Sequence, residues 1–181
     1  MLISTSKNYV ITGGPGAGKS TLIAALRKAG FSCALEAGRS IIQDQVAIGG
    51  KGLPWCDPVL FAELMLSFDM RCYHDLQNQD GPIFFDRGIP DVAGYLQMLG
   101  LPLPAHIQNA IGLFRYNQRV FVAPPWEKIF RQDEERKQSF GEAIRIYEAM
   151  VTIYSESGYR VIEIPKTPVE ERLAFILQNI L

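Results

Sequence analysis

Gly13-Gly14-Pro15-Gly16-Ala17-Gly18-Lys19-Ser20 carries the residue types and spacing that hold a polyphosphate. It satisfies the pattern G-x-x-x-x-G-K-[ST]. Glycines let successive backbone N–H groups turn inward with no Cβ in the way. A helix N-terminus at the end of such a loop adds unpaired amides and a favourable dipole for an anion. Lys19 has the reach for β- and γ-phosphate oxygens, and the Ser20 hydroxyl suits Mg²⁺ bridging those phosphates. Thr21 is placed to add an α-phosphate contact. The competing reading is a glycine-rich turn with a chance Lys-Ser. Context argues against it, because an apolar run precedes the loop and a helix-forming run comes after it. The residues therefore predict a nucleoside triphosphate with Mg²⁺ as ligand.

Two acids stand where strands should end. Asp86 closes the apolar run Ile83-Phe84-Phe85, and an acid at the tip of a buried strand beside a phosphate loop suits Mg²⁺, directly or through water. Its other reading is a cap for the next helix or loop. Arg87 comes next, where a hydrolytic motor would carry a second acid to orient water. Guanidinium stays protonated and cannot do that. Arg87 fits better as a holder of an acceptor or a phosphate, or as one side of a structural ion pair. Glu36, at the end of the second predicted strand, is a candidate general base for an acceptor hydroxyl. Asp86 is the alternative base, and pairing with Arg39 is the alternative role for Glu36. Arg131 and Arg136, with Lys137, lie in a charged segment that makes 124–139 a candidate lid. An arginine closing on a transferred phosphoryl group contributes about 10³-fold or more in rate. Glu127, Asp133, Glu134 and Glu135 share that segment, so charges paired along a solvated helix explain it equally well.

The elements that must position these residues alternate. Asn8 to Thr12, Ser32 to Glu36, Pro82 to Asp86, Arg119 to Val122 and Arg160 to Ile164 read as strands. Helical patterns fall at Lys19 to Ala29, Arg39 to Ile48, after Asp57-Pro58, Asp91 to Leu99, Pro104 to Phe114, Trp126 to Arg136, Phe140 to Ser157 and after Thr167-Pro168-Val169-Glu170. The last of these resembles a capping box. Strands alternating with helices predict parallel pairing with helices on both faces, hence one three-layer α/β domain of about five strands over residues 1–181. Ligands in such sheets sit at the carboxyl ends of the strands.

The chain has 181 residues, 48% hydrophobic and 20% charged, with a formal net charge of −1. That composition suits a globular domain and offers no general attraction to nucleic acid or membrane. No apolar run is long enough to span a bilayer, and no secretory leader is evident. Cys33, Cys56 and Cys72 are odd in number and far apart, which points to small buried side chains in a reducing, cytoplasmic setting. His74 and His106 are isolated. The loop Trp55-Cys56-Asp57 reads as pinned by a buried Trp55, its other reading being a cover over an acceptor pocket. No feature sets an oligomeric state or an acceptor identity.

The chain resembles the nucleoside- and nucleotide-kinase-like branch of P-loop proteins. More closely, it resembles the predicted ATPases called AAA-domain proteins. The shared features are Gly13 to Ser20, Glu36-Ala37-Gly38-Arg39, Phe85 through Asp91, Pro124-Pro125-Trp126 through Asp133 and Arg136, Gly158-Tyr159 and Ile164-Pro165. The resemblance implies a sheet of order 2-3-1-4-5 and ATP binding. In deoxynucleoside kinases a glutamate after the second strand acts as base and an Asp-Arg or Glu-Arg pair comes after the third. Glu36 and Asp86-Arg87 stand at those places, while their neighbours depart from the deoxynucleoside-kinase motifs. The expectation is a kinase that moves the γ-phosphoryl group of ATP to a small hydroxyl-bearing metabolite such as a nucleoside. Its rival is a slow ATPase or nucleotide-dependent regulator acting through a protein partner.

Overall fold

A computed structural model describes residues 6–130 and 138–180. Five parallel strands form one sheet: β1 (Asn8–Gly13), β2 (Ser32–Ala34), β3 (Ile83–Asp86), β4 (Arg119–Ala123) and β5 (Arg160–Glu163). Their order is β2-β3-β1-β4-β5, as the resemblance implied. Central β1 is buried along its whole length, and β3 is too. Their centres, Tyr9-Val10-Ile11 and Ile83-Phe84-Phe85, are continuous apolar runs, as strands covered on two faces require. The register sets Ile11 beside Asp86 and Gly13 beside Ala123.

Alternation along β1 divides the core in two. Tyr9 and Ile11 face one layer with Phe84 and Phe121. That layer is α1 (Lys19–Lys28) and α7 (Val169–Ile180), through Leu22, Leu26 and Ile176. Val10, Phe85 and Val120 face the opposite layer. It is built from α3 (Pro58–Asp75), α4 (Ile89–Met98), α5 (Ala105–Leu113) and α6 (Phe140–Glu156), with α2 (Ala37–Ile48) against α3. The result is the expected α/β/α arrangement.

Local chemistry sets the helix starts. Asp57 Oδ1 accepts from Leu60 N at 2.9 Å, and Pro58 fills the first turn, where its missing N–H costs nothing. At α6 the Ser139 hydroxyl accepts from Glu142 N, and the Glu142 carboxylate accepts from Ser139 N at 2.7 Å. This reciprocal box draws the Glu142 pKa down.

Several expectations change. β2 stops at Ala34, so Glu36 occupies the N-cap position of α2 rather than a strand end. The capping box expected at Thr167 is not made: Pro168, just before α7, accepts from Arg172 N through its carbonyl, while Thr167 Oγ1 is buried with no partner among the described residues. Trp55 is 66% exposed and pins nothing; Leu53, buried, anchors that loop instead. Cys56 is exposed. Of the helix expected over Trp126 to Arg136, Trp126 to Phe130 forms a turn, with Phe130 N donating to Trp126 O. The rest of it, Arg131, Arg136 and Lys137 included, lies outside the described residues. No helix among the described residues is long and apolar enough to cross a membrane.

Candidate functional site

The loop from Gly13 to Gly18 joins β1 to α1 and is pressed from several sides. A Cβ on Gly14 would meet Ala143 O of α6 at 2.4 Å, so only glycine lets α6 approach so closely. Gly18 sits at φ 76°, and a Cβ there would meet the Arg172 guanidinium at 2.6 Å. No side chain caps α1, which leaves its first amides for an anion. Lys19 is 3% exposed, and its Nζ donates to Gly13 O at 3.1 Å and Gly14 O at 2.8 Å. Ser20 and Thr21 stand exposed on the first turn. Arg172, from α7, donates from Nη2 to Ala17 O at 3.0 Å, a support with no sequence signal; burial pulls its pKa down.

Asp86 is buried at the end of β3, one strand from the loop, and Arg87 N donates to Ile11 O at 3.0 Å. Arg87 is the one non-glycine among the described residues at positive φ, 73°. That twist turns its guanidinium between two carboxylates. Nε donates to Glu36 Oε1 at 3.1 Å and Nη1 to Asp91 Oδ1 at 2.9 Å. Burial alone would lower the Arg87 pKa, but Glu36, then Asp91 and Asp86, outweigh it and raise it.

In sequence Asp91 reads only as the start of a helix, yet it joins four elements. Its Oδ1 accepts from Thr12 Oγ1 at 2.6 Å as well as from Arg87. Its Oδ2 accepts from Gly88 N at 3.0 Å and Tyr154 Oη at 2.7 Å. Burial, then Asp91's charge, pushes the Tyr154 pKa well up, so the phenol remains a donor. The signal available in sequence was Gly88-x-x-Asp91, an acid in the third helical position.

Beside this network lies a cavity of about 460 Å³. Pro15 of the phosphate loop, Glu36, Arg87 and Asp91 border it at one end. Phe61 and Met65 of α3, Tyr95 of α4 and Met150 of α6 give it apolar walls. Asp69 lines it too, and burial, then Asp91, pushes its pKa well up. The structure thus brings together Lys19, Glu36, Asp86 and Arg87 at the carboxyl ends of β1 and β3. Among the described residues no cluster of three or more His, Cys, Asp or Glu could hold a metal ion. The Ser20 hydroxyl and Asp86 carboxylate are hard oxygen donors, a set that fits Mg²⁺ taking its other ligands from phosphate and water.

A family profile described as an AAA domain matches residues 8–172. The sequence comparison with curated proteins finds no match. Among solved structures, the chain is similar to a deoxyadenosine kinase from M. mycoides, at 15% identity and TM-score 0.65, covering 95% of this chain and 97% of that one. A thymidylate kinase from Ehrlichia chaffeensis is similar at 13% identity and TM-score 0.65, over 97% and 99% of the two chains. An NadR protein in complex with NR is similar at 18% identity and TM-score 0.66, over 96% of this chain and 49% of that one. At such identities these likenesses show a shared fold, that of P-loop kinases.

The charges make two outcomes measurable. Asp91→Asn places an NH₂ donor among four donors and removes a charge partner of Arg87, so urea unfolding should show a loss of about 3 kcal/mol, against about 1 kcal/mol for Tyr154→Phe. Equal, negligible losses would contradict the network. Asp69 has a raised folded-state pKa, so its contribution to stability is full below its unfolded value and is lost as pH rises through the folded one. Asp69→Asn should therefore gain stability over the wild type at pH 8 relative to pH 4, measured by denaturation at both.

Proposed function

Because the chain belongs to the AAA-domain family, and its fold is that of P-loop kinases, we propose that it transfers the γ-phosphoryl group of ATP to a small hydroxyl-bearing metabolite such as a nucleoside. One observation carries this reading: a cavity large enough for a small molecule begins at Pro15 of the phosphate loop and is bordered there by Glu36 and Arg87. A donor on the loop and an acceptor in the cavity would meet at that border.

In this reading the loop amides and Lys19 hold the triphosphate. Ser20 and Asp86 would hold Mg²⁺, which supplies charge neutralisation across the β- and γ-phosphates when bound. Glu36 accepts the proton of the acceptor hydroxyl as its oxygen bonds to the γ-phosphorus and the bond to the β-phosphate oxygen breaks, releasing ADP. Arg87 orients Glu36 through the Nε contact. Most of the rate would come from positioning and fixed charge. The name of one fold neighbour, a deoxyadenosine kinase, supports a nucleoside-type acceptor.

Purified protein with ATP·Mg²⁺ and a panel of nucleosides and sugars provides the test. A kinase releases ADP only when its acceptor is present; slow release indifferent to every acceptor would overturn the proposal in favour of a nucleotide-dependent regulator. Lys19→Ala should abolish measurable ATP binding or turnover. Glu36→Gln should keep ATP affinity and lose about 10²-fold or more in transfer, and a full-rate variant would remove the base role.

A further inference from the structure

The cavity contains a carboxyl that the transfer reading leaves unused. Asp69 lies on the face of α3 that carries Phe61 and Met65, at successive steps of four, and all three line the cavity. It is 8% exposed, yet no described residue gives it a hydrogen bond or an ion pair. Tyr95 lines the same cavity, and its hydroxyl is likewise buried with no partner among the described residues. A buried polar group left this way costs stability, and such groups collect where a ligand completes them.

The charges facing Asp69 decide its form. Arg87 is the cation that lowers its pKa, with Nε and Nη1 given to Glu36 and Asp91, and Arg39 lines the same cavity. Glu36, Asp86 and Asp91 face Asp69 with like charge from the α2 start, the β3 end and α4. Tyr116, before β4, and Cys72, on α3 itself, face it as neutral groups, each with its pKa raised. Glu142 and Arg145 of α6 also line the cavity, and Arg145 acts on Glu142 with opposite charge. With Arg87 shared between Glu36 and Asp91, a further ionised carboxylate finds little compensation among the described residues, and burial with the like charges around it favours the protonated form of Asp69.

We propose that Asp69 recognises the acceptor as an uncharged carboxylic acid, donating through its O–H and accepting through its C=O. The acceptor it fits is an uncharged hydroxyl compound whose ring carries a lactam or amidine edge, a donor and an acceptor side by side. The flat body of such a ring suits the walls formed by Phe61, Met65 and Tyr95. This deepens the kinase reading and rests on it for the role of the cavity as acceptor site.

Titration calorimetry on the full chain without nucleotide tests it, using inosine, uridine and adenosine, the ring-methylated 1-methylinosine and 3-methyluridine, ribose, and the cationic alcohol choline. At least one of the first three should bind, and methylating the edge or removing the ring should weaken binding about tenfold or more. Asparagine reproduces the donor and acceptor of a neutral acid. Asp69→Asn should thus stay within about threefold of wild type while Asp69→Leu loses about tenfold or more, both keeping ATP affinity as evidence of folding. Equal losses in Asn and Leu, no loss in either, tighter binding of choline, or no binding by any probe would each overturn the inference. ADP release measured in parallel separates the two proposals. The expected binding pattern without ADP release removes the kinase reading alone, and ADP release driven by ribose or choline removes the Asp69 inference alone.

Discussion

A guanidinium that cannot shed its proton, folded into the protein beside the phosphate loop, is the constraint on which the site depends. Arg87 enters through a left-handed backbone conformation that costs a non-glycine residue about 1–2 kcal/mol. It persists because Glu36 and Asp91 both bond the side chain. A buried charge without such partners would be far more costly than the twist. Since Glu36 opens α2 and Asp91 sits in the first turn of α4, satisfying one arginine fixes the relation of three segments. Asp91 then carries the constraint to Thr12 at the end of β1 and to Tyr154 on α6. The cavity floor and the strand that feeds the phosphate loop therefore share one polar network.

The sheet order makes that network possible. With β3 beside β1, the acid ending β3 and the loop leaving β1 emerge next to each other, and Arg87 N extends the ladder by one bond to Ile11 O. On the other side of β1, β4 brings Ala123 against Gly13. Above, the capping box at Ser139 starts α6 where Ala143 O can rest on Gly14. Below, Arg172 of α7 holds Ala17 O. The loop is shaped by packing from both helical layers, and such packing is a source of the preorganisation that electrostatic binding needs.

What was legible in the sequence was whatever periodicity and short spacing encode. The five strands, most helices and the phosphate loop fall there, because apolar alternation and an eight-residue motif are local properties. The strand order came through resemblance, since nothing local says that β3 rather than β2 lies beside β1. The features that escaped depend on partners far along the chain. Asp91 meets Thr12 and Tyr154 across separations of 79 and 63 residues, and Arg172 meets Ala17 across 155. Asp69 carries no local signal; only the packing of α3 onto α4 and the β3 end gives it apolar and anionic surroundings. Trp55 failed in the opposite direction: its size suggested burial, but Leu53 takes the inward place in that loop.

The pair Asp86-Arg87 bears on hydrolysis against transfer. Orienting water for attack takes an acceptor group directed at the γ-phosphate, and the position after Asp86 instead carries five N–H donors and no acceptor. Two of its donor nitrogens are engaged by carboxylates on the cavity side of the sheet. The candidate base Glu36 lines a space about 460 Å³ in volume, with largely apolar walls. Such walls favour an organic hydroxyl compound over bulk water, since filling them with water forfeits the burial of apolar surface. In the transfer reading, a base directed into that space would serve an acceptor that brings its own hydrophobic body, and this is the physical argument for preferring transfer to hydrolysis.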